Sequence, residues 1–183
     1  MNIKREVMLD SNEVGFELND SFEFELKTGE LVKAKAVKKD SDGMLFIFED
    51  CLRDEYSMKE ILNDNVLDKI FDQFPDELKQ IMKKIDDNNY LRLPTEKEIF
   101  GENNYGIYES DEVKQFECMK ERRNRIAFQG YKTDIWEWYW LSNPYKNSDD
   151  TASAASFAGV SSYGYSDYYD ASGSNGVRPL FKI

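Results

Sequence analysis

Apolar and charged residues alternate through Phe22-Glu23-Phe24-Glu25-Leu26, the period of a strand with one buried face. Lys27-Thr28-Gly29-Glu30 supplies a turn and Leu31 to Val37 continues as a second strand, so the segment predicts a hairpin. A further turn, Asp40-Ser41-Asp42-Gly43, leads into Met44-Leu45-Phe46-Ile47-Phe48. That unbroken apolar run predicts a strand covered on both faces and a third antiparallel member of the sheet. The period then becomes helical. Ser57 and Glu60 stand at capping-box spacing before Ile61 and Leu62, and Pro75 opens a second helix carrying Leu78, Ile81, Met82 and Ile85 on one face. A short strand, Tyr90-Leu91-Arg92-Leu93, precedes another capping-box pair, Thr95 and Glu98, with Gly101 as the helix stop. Asp111 to Ile126 predicts a last helix with Val113, Phe116 and Met119 inward. Lys120, Arg122, Arg123 and Arg125 fall near its C-terminal end, where cations complement the helix dipole.

From Trp136 the pattern changes again. Trp136-Glu137-Trp138-Tyr139-Trp140-Leu141 predicts an aromatic strand, followed by Ser, Tyr, Gly, Ala, Asn and Asp in short strand-and-turn pieces. Gly176-Val177-Arg178-Pro179-Leu180-Phe181-Lys182-Ile183 predicts a closing strand. The fold class is therefore α+β, in one domain spanning 1–183: an N-terminal antiparallel sheet over 1–50, a helical layer over 51–130 and a strand meander over 131–183. At 183 residues the chain is long enough to bury its own core.

Composition narrows the function. Asp and Glu number 36 against 24 Lys and Arg, a formal charge of −12, which repels nucleic acid and anionic lipid and favours a partner with a basic surface. No histidine is present, which removes the commonest general base and most zinc sites, so a non-enzymatic protein without cofactor or metal is expected. Cys51 and Cys118 are far apart and read as reduced structural thiols. The Met1-Asn2-Ile3-Lys4-Arg5-Glu6 start leads into charged sequence and no apolar run reaches spanning length, so a cytoplasmic location in a bacterial host cell, away from the membrane, is expected.

Three segments, Leu91-Arg92-Leu93-Pro94-Thr95-Glu96-Lys97-Glu98, Trp138-Tyr139-Trp140-Leu141-Ser142-Asn143-Pro144 and Gly176 to Ile183, resemble in order and spacing a bacterial and phage domain family of unknown function. Its pattern runs from a leucine-rich strand through a "PTEKE"-like helix start, a "WLRSP"-like aromatic strand and a Ser/Gly/Tyr meander to a "GVRPA" end. That family is similar to the formylglycine-generating-enzyme type of C-type-lectin-like fold. The resemblance covers nearly the whole chain and implies a C-terminal lectin-like meander whose aromatic and closing strands frame an irregular binding surface. It implies a fold and not that enzyme's activity. Neither Cys51 nor Cys118 lies near the closing segment in the sequence, and Asn143 stands where the pattern has arginine.

The candidate partner-binding residues lie in the meander: Tyr145, Tyr163, Tyr165, Tyr168 and Tyr169 among small polar residues, a composition like that of antibody recognition loops. Asp149, Asp150, Asp167 and Asp170 interleave them, as turn caps or as part of an acidic docking face; oxygen ligation of calcium is a weaker reading of the same four. Carboxylates over Asp10 to Glu30 and Glu49 to Asp87 suggest imitation of nucleic-acid phosphates. The most concrete expectation is a phage or mobile-element protein that inhibits a host defence nuclease, anti-CRISPR-like, by such DNA mimicry. The alternative is a lectin-like, glycan-binding or virion-associated module.

Overall fold

The computed structural model describes residues 15–183; the Met1 to Glu6 start and the Asp10 to Val14 part of the first acidic run lie outside them. Strand β1 (Ser21–Glu25) pairs antiparallel with β2 (Leu31–Lys39), which pairs in turn with β3 (Met44–Phe48). Every residue of β3 is buried. Met44, Phe46 and Phe48 enter one core and Leu45 and Ile47 another, because successive side chains leave a strand on opposite faces.

A two-residue strand β4 (Tyr56–Ser57) runs into α1 (Met58–Asn63), opened by a reciprocal capping box between Ser57 and Glu60. Helix α2 (Val66–Asp72), which the capping signals do not announce, follows Asn65 in the left-handed region at φ 52°. Helix α3 (Asp76–Ile81) is shorter than its periodicity predicts. Met82 turns extended at ψ 144° and Lys83 bridges to Lys182, so Met82 and Ile85 belong to a loop against the sheet. After β5 (Leu91–Arg92), α4 (Glu96–Phe100) starts with the Thr95 and Glu98 capping box and ends at Gly101 with φ 82°, a conformation that glycine adopts without a Cβ clash.

The predicted helix over Asp111 to Ile126 does not form; two 3₁₀ turns, Glu117–Lys120 and Arg122–Asn124, stand in its place. Long-range partners take the backbone instead. The Phe116 N–H donates to the Glu98 carbonyl and the Gln115 amide donates to the Ile99 carbonyl. Phe116 and Met119 are buried as expected, while Val113 is only half-buried. With no α-helix there, Lys120, Arg122, Arg123 and Arg125 complement no helix dipole, and Lys120 and Arg123 pair with Glu117 and Glu121.

Strand β6 (Ala127–Phe128) pairs with β7 (Trp136–Glu137), and β8 (Tyr139–Lys146), β9 (Ala152–Val160) and β10 (Ser166–Asp170) form a three-stranded sheet in the order β10-β9-β8. Trp138 separates β7 from β8, so the expected aromatic strand is two strands. Strand β11 (Ser174–Asn175) pairs with β4, and β12 (Leu180–Lys182) inserts between β3 and β5. The N-terminal sheet thus has five strands rather than three, in the order β1-β2-β3-β12-β5, and the closing strand belongs to it and not to the meander. The α+β class holds, with strands outweighing helices. No helix among the described residues is long and apolar enough to cross a membrane.

One core lies between the five-stranded sheet and α1–α3; there the Phe46 and Phe181 rings stack at 5.4 Å and Phe74 meets Phe181 edge-on at 5.6 Å. The other packs Ile99, Phe116, Met119, Tyr139, Leu141, Ala158 and Val160 against the opposite face of β3. Between the layers sits Arg178, 3% exposed. Its Nε donates to the Phe48 carbonyl at 2.7 Å, and Nη1 and Nη2 both reach the Asn124 carbonyl at 3.2 Å. Nη1 also donates to the Tyr139 hydroxyl at 3.0 Å, and that hydroxyl donates to the Arg125 carbonyl at 2.9 Å.

Arg178→Met keeps most of the volume but leaves the Phe48 and Asn124 carbonyls without this donor. The expected loss is about 3–5 kcal/mol of unfolding free energy, read from the urea midpoint at unchanged slope; a loss within ~0.5 kcal/mol contradicts the role given to the guanidinium.

Candidate functional site

Register places the tyrosines of β10. Tyr168 faces Ala158 and Tyr169 faces Phe157 across the ladder, so adjacent tyrosines leave on opposite faces of the sheet. Tyr169 lies flat over Gly159, where a Cβ would come within 2.5 Å of its ring. Trp138 stacks on Tyr169 at 5.8 Å and 10°, and Trp140 meets it edge-on at 5.9 Å. On the other face Tyr168 packs against Tyr145 at 4.6 Å and Tyr105 at 5.2 Å. Tyr163 and Tyr165 occupy the β9–β10 turn. Arg122 donates to the Tyr163 carbonyl at 2.7 Å and sits 5.2 Å from the Tyr165 ring centre, while Tyr163 lies 5.9 Å from Trp136.

The expected single tyrosine patch is therefore divided. Tyr145 and Tyr168 form one group, and Tyr163, Tyr165 and Tyr169 belong to another organised by Trp136 and Trp138. The two tryptophans are two apart in extended backbone and 52% and 48% exposed, whereas Glu137 between them is 6% exposed. This Trp136, Trp138, Tyr163, Tyr165 surface is the strongest candidate site. Sequence reading placed Trp136 and Trp138 on an aromatic strand without assigning either to a face. The period-two pattern Trp-Glu-Trp carried the signal, since a charged residue between two aromatics fits an inward Glu137 as well as an outward one.

Two of the four aspartates cap turns. Asp149 accepts from the Thr151 hydroxyl at 2.6 Å and N–H at 3.2 Å, and Asp170 accepts from the Ser172 hydroxyl and, at 2.8 Å, the Ser172 N–H; these bonds hold both carboxyls below their ordinary range. Asp150, at φ 63°, pairs with Lys146 at 2.9 Å. Asp167 accepts the Tyr168 N–H at 2.9 Å, which occupies a backbone donor of an edge strand and guards it against pairing with another chain. The four are not brought together, and among the described residues no three acidic or cysteine side chains converge to hold a metal.

Below Tyr105, Tyr145 and Tyr168 lies a polar network that sequence reading missed. Glu96 is fully buried. Its carboxylate accepts the Tyr105 N–H at 2.9 Å, the Gly106 N–H at 2.8 Å and the Ser166 hydroxyl at 3.1 Å. Asn143 accepts the Glu96 N–H at 2.7 Å and donates to Glu109 at 2.9 Å; a Cβ on Gly106 would come within 2.5 Å of it. Asn143 therefore ties the start of α4 to Glu109 and orders this network. It was legible only as the Glu96 of the motif, taken there for a helix start.

Glu137 faces inward against Gly176 and Cys51: a Cβ on Gly176 would lie 2.6 Å from its Cγ and 2.7 Å from the Cys51 sulfur. The fold thus brings Cys51 to the closing segment, from which it is remote in sequence. Burial pushes the Cys51 thiol well up and the Cys118 thiol up, so neither is a ready thiolate. Burial and a hydrogen bond to Glu55 raise the Glu137 carboxyl to about 7, against the bond it accepts from the Trp138 N–H at 2.8 Å. Compared with known protein families, curated proteins and solved structures, the chain matches none.

A carboxyl raised on folding binds its proton more tightly in the native state, so it costs stability as pH climbs from the ordinary carboxyl range to about 7, and no further above that. Glu137→Gln removes that cost. In urea unfolding at pH 5 and pH 8 the variant is expected to lose less stability between the two than the parent; equal losses contradict the raised value.

Proposed function

We propose that this chain is a non-enzymatic binding protein that docks on a partner protein with a basic surface through the Trp136, Trp138, Tyr163, Tyr165 aromatic surface. One observation carries the reading. Four large aromatic side chains, 48% to 64% exposed, are held on β7, the residue that follows it and a short turn by ring contacts and by Arg122, where burial would be their default. Tyrosine and tryptophan give rigid contact area at low entropic cost and are the residues that dominate docking energies. The −12 charge supplies attraction to a basic partner and repels nucleic acid itself.

The most specific form of this reading is a phage or mobile-element protein, acting in the bacterial cytoplasm, that inhibits a host defence nuclease by covering its basic nucleic-acid channel, as an anti-CRISPR protein does. The family resemblance and the acidic excess support it. A second reading, a lectin-like glycan-binding module, is favoured by the Trp138 and Tyr169 stack, whose outer ring offers a flat apolar face.

Affinity capture from bacterial lysate with tagged protein tests the first reading, using the parent and a Trp136→Ser/Trp138→Ser double variant at low and high salt. A basic nucleic-acid enzyme retained at low salt, lost at high salt and absent with the variant is expected. Equal retention by the variant, or retention of glycans alone, contradicts it.

A further inference from the structure

A second feature lies away from the tryptophans. Two cavities of about 230 and 260 Å³ share Thr28, Tyr56, Ile70 and Gln73, and so form one groove between the β1–β2 turn, β4 and α2. Its floor is apolar: Leu52 is 4% exposed and Ile70 5%. Tyr56 lies half-buried along it, with Glu30 and Asp54 on one side and Glu60 on the other. These three carboxylates, after burial, hold the Tyr56 phenol above its ordinary range, which places their charge within reach of the ring.

Among the described residues none of the three forms an ion pair. Glu30 accepts only the Arg53 backbone N–H, at 2.8 Å, and Glu60 is engaged in the Ser57 cap. Arg53 and Lys69 line the groove, but the Arg53 side chain runs along Gly130, where a Cβ would meet its Cγ at 2.7 Å and its Nε at 3.3 Å. The groove therefore combines an apolar trough, an aromatic ring and carboxylates that outnumber its cations, with Glu30, Asp54, Glu60 and Asp64 against Arg53 and Lys69.

We propose that this groove is a receptor for a single arginine side chain of a partner protein, its methylene stem on Leu52 and Ile70 and its guanidinium over Tyr56 between Glu30, Asp54 and Glu60. Planar, weakly hydrated guanidinium suits an aromatic face flanked by carboxylates better than the compact ammonium of lysine does. The inference stands apart from the aromatic docking surface: either site can fail without the other.

The test is an NMR titration at low ionic strength with Nα-acetyl-arginine amide, against its neutral isostere Nα-acetyl-citrulline amide. Saturable shifts confined to Leu52, Tyr56, Ile70 and Gln73 are expected, with affinity about fivefold weaker for citrulline and for a Glu30→Gln/Asp54→Asn variant whose spectrum shows an intact fold. Both substitutions leave the Ser57 and Glu60 cap untouched. Equal binding of citrulline, shifts spread over the acidic surface, or no saturable shift would each overturn the proposal. The aromatic surface is unchanged in that variant, so its loss of arginine binding with retained partner capture separates the two sites.

Discussion

The buried guanidinium of Arg178 is the interaction on which the arrangement of layers depends. Among the described residues no carboxylate is in hydrogen-bond contact with it; instead it gathers two backbone carbonyls and a phenol from three distant parts of the chain, Phe48 on β3, Asn124 in the 3₁₀ segment and Tyr139 on β8. A charge so placed is tolerated because each contact is a charge-assisted hydrogen bond and the ring of Tyr139 lies 5.2 Å away. The consequences run outward. Tyr139 fixes the start of β8 beside Trp138, and Asn124 fixes the turn that carries Arg122 to Tyr163. The exposed aromatic surface is thus anchored, two residues at a time, to one buried cation.

That anchoring bears on the docking role proposed for the surface. Large exposed aromatics on a mobile loop would collapse onto nearby apolar surface or lose binding energy to ordering. Here stacking of Tyr169 over Gly159 and the bond from Arg122 to Tyr163 keep the rings presented. The Glu96 network performs the same service for Tyr105 and Tyr168, since it fixes the backbone of the first and bonds Ser166, two residues before the second. Among the described residues the acidic side chains around these features do not join into a metal site; they serve as turn caps and an edge guard.

Local chemistry made much of this legible. Both capping boxes, the helix stop at Gly101 and the doubly covered β3 follow from residues a few positions apart, and such contacts are what spacing reports. The failures share a cause. Asp111 to Ile126 has helical spacing but spends its hydrogen bonds on Glu98 and Ile99, and the closing strand crosses the whole chain to sit beside β3; neither partner is readable from local pattern. Sequence reading took the tyrosines as one group. Their division between two faces is set by the β9–β10 register, and the prominence of Trp136 and Trp138 by the inward turn of Glu137, a choice that period-two pattern leaves open.

Amide hydrogen exchange on an Arg178→Lys variant tests most directly whether one buried cation holds the aromatic surface in place. Lysine keeps the charge but cannot span Phe48, Asn124 and Tyr139 at once. The account predicts faster exchange across Arg122 to Arg125 and Trp136 to Leu141, with β1 and β2 protected as in the parent. Unchanged exchange in those two segments, or a uniform rise over the whole chain, would contradict it.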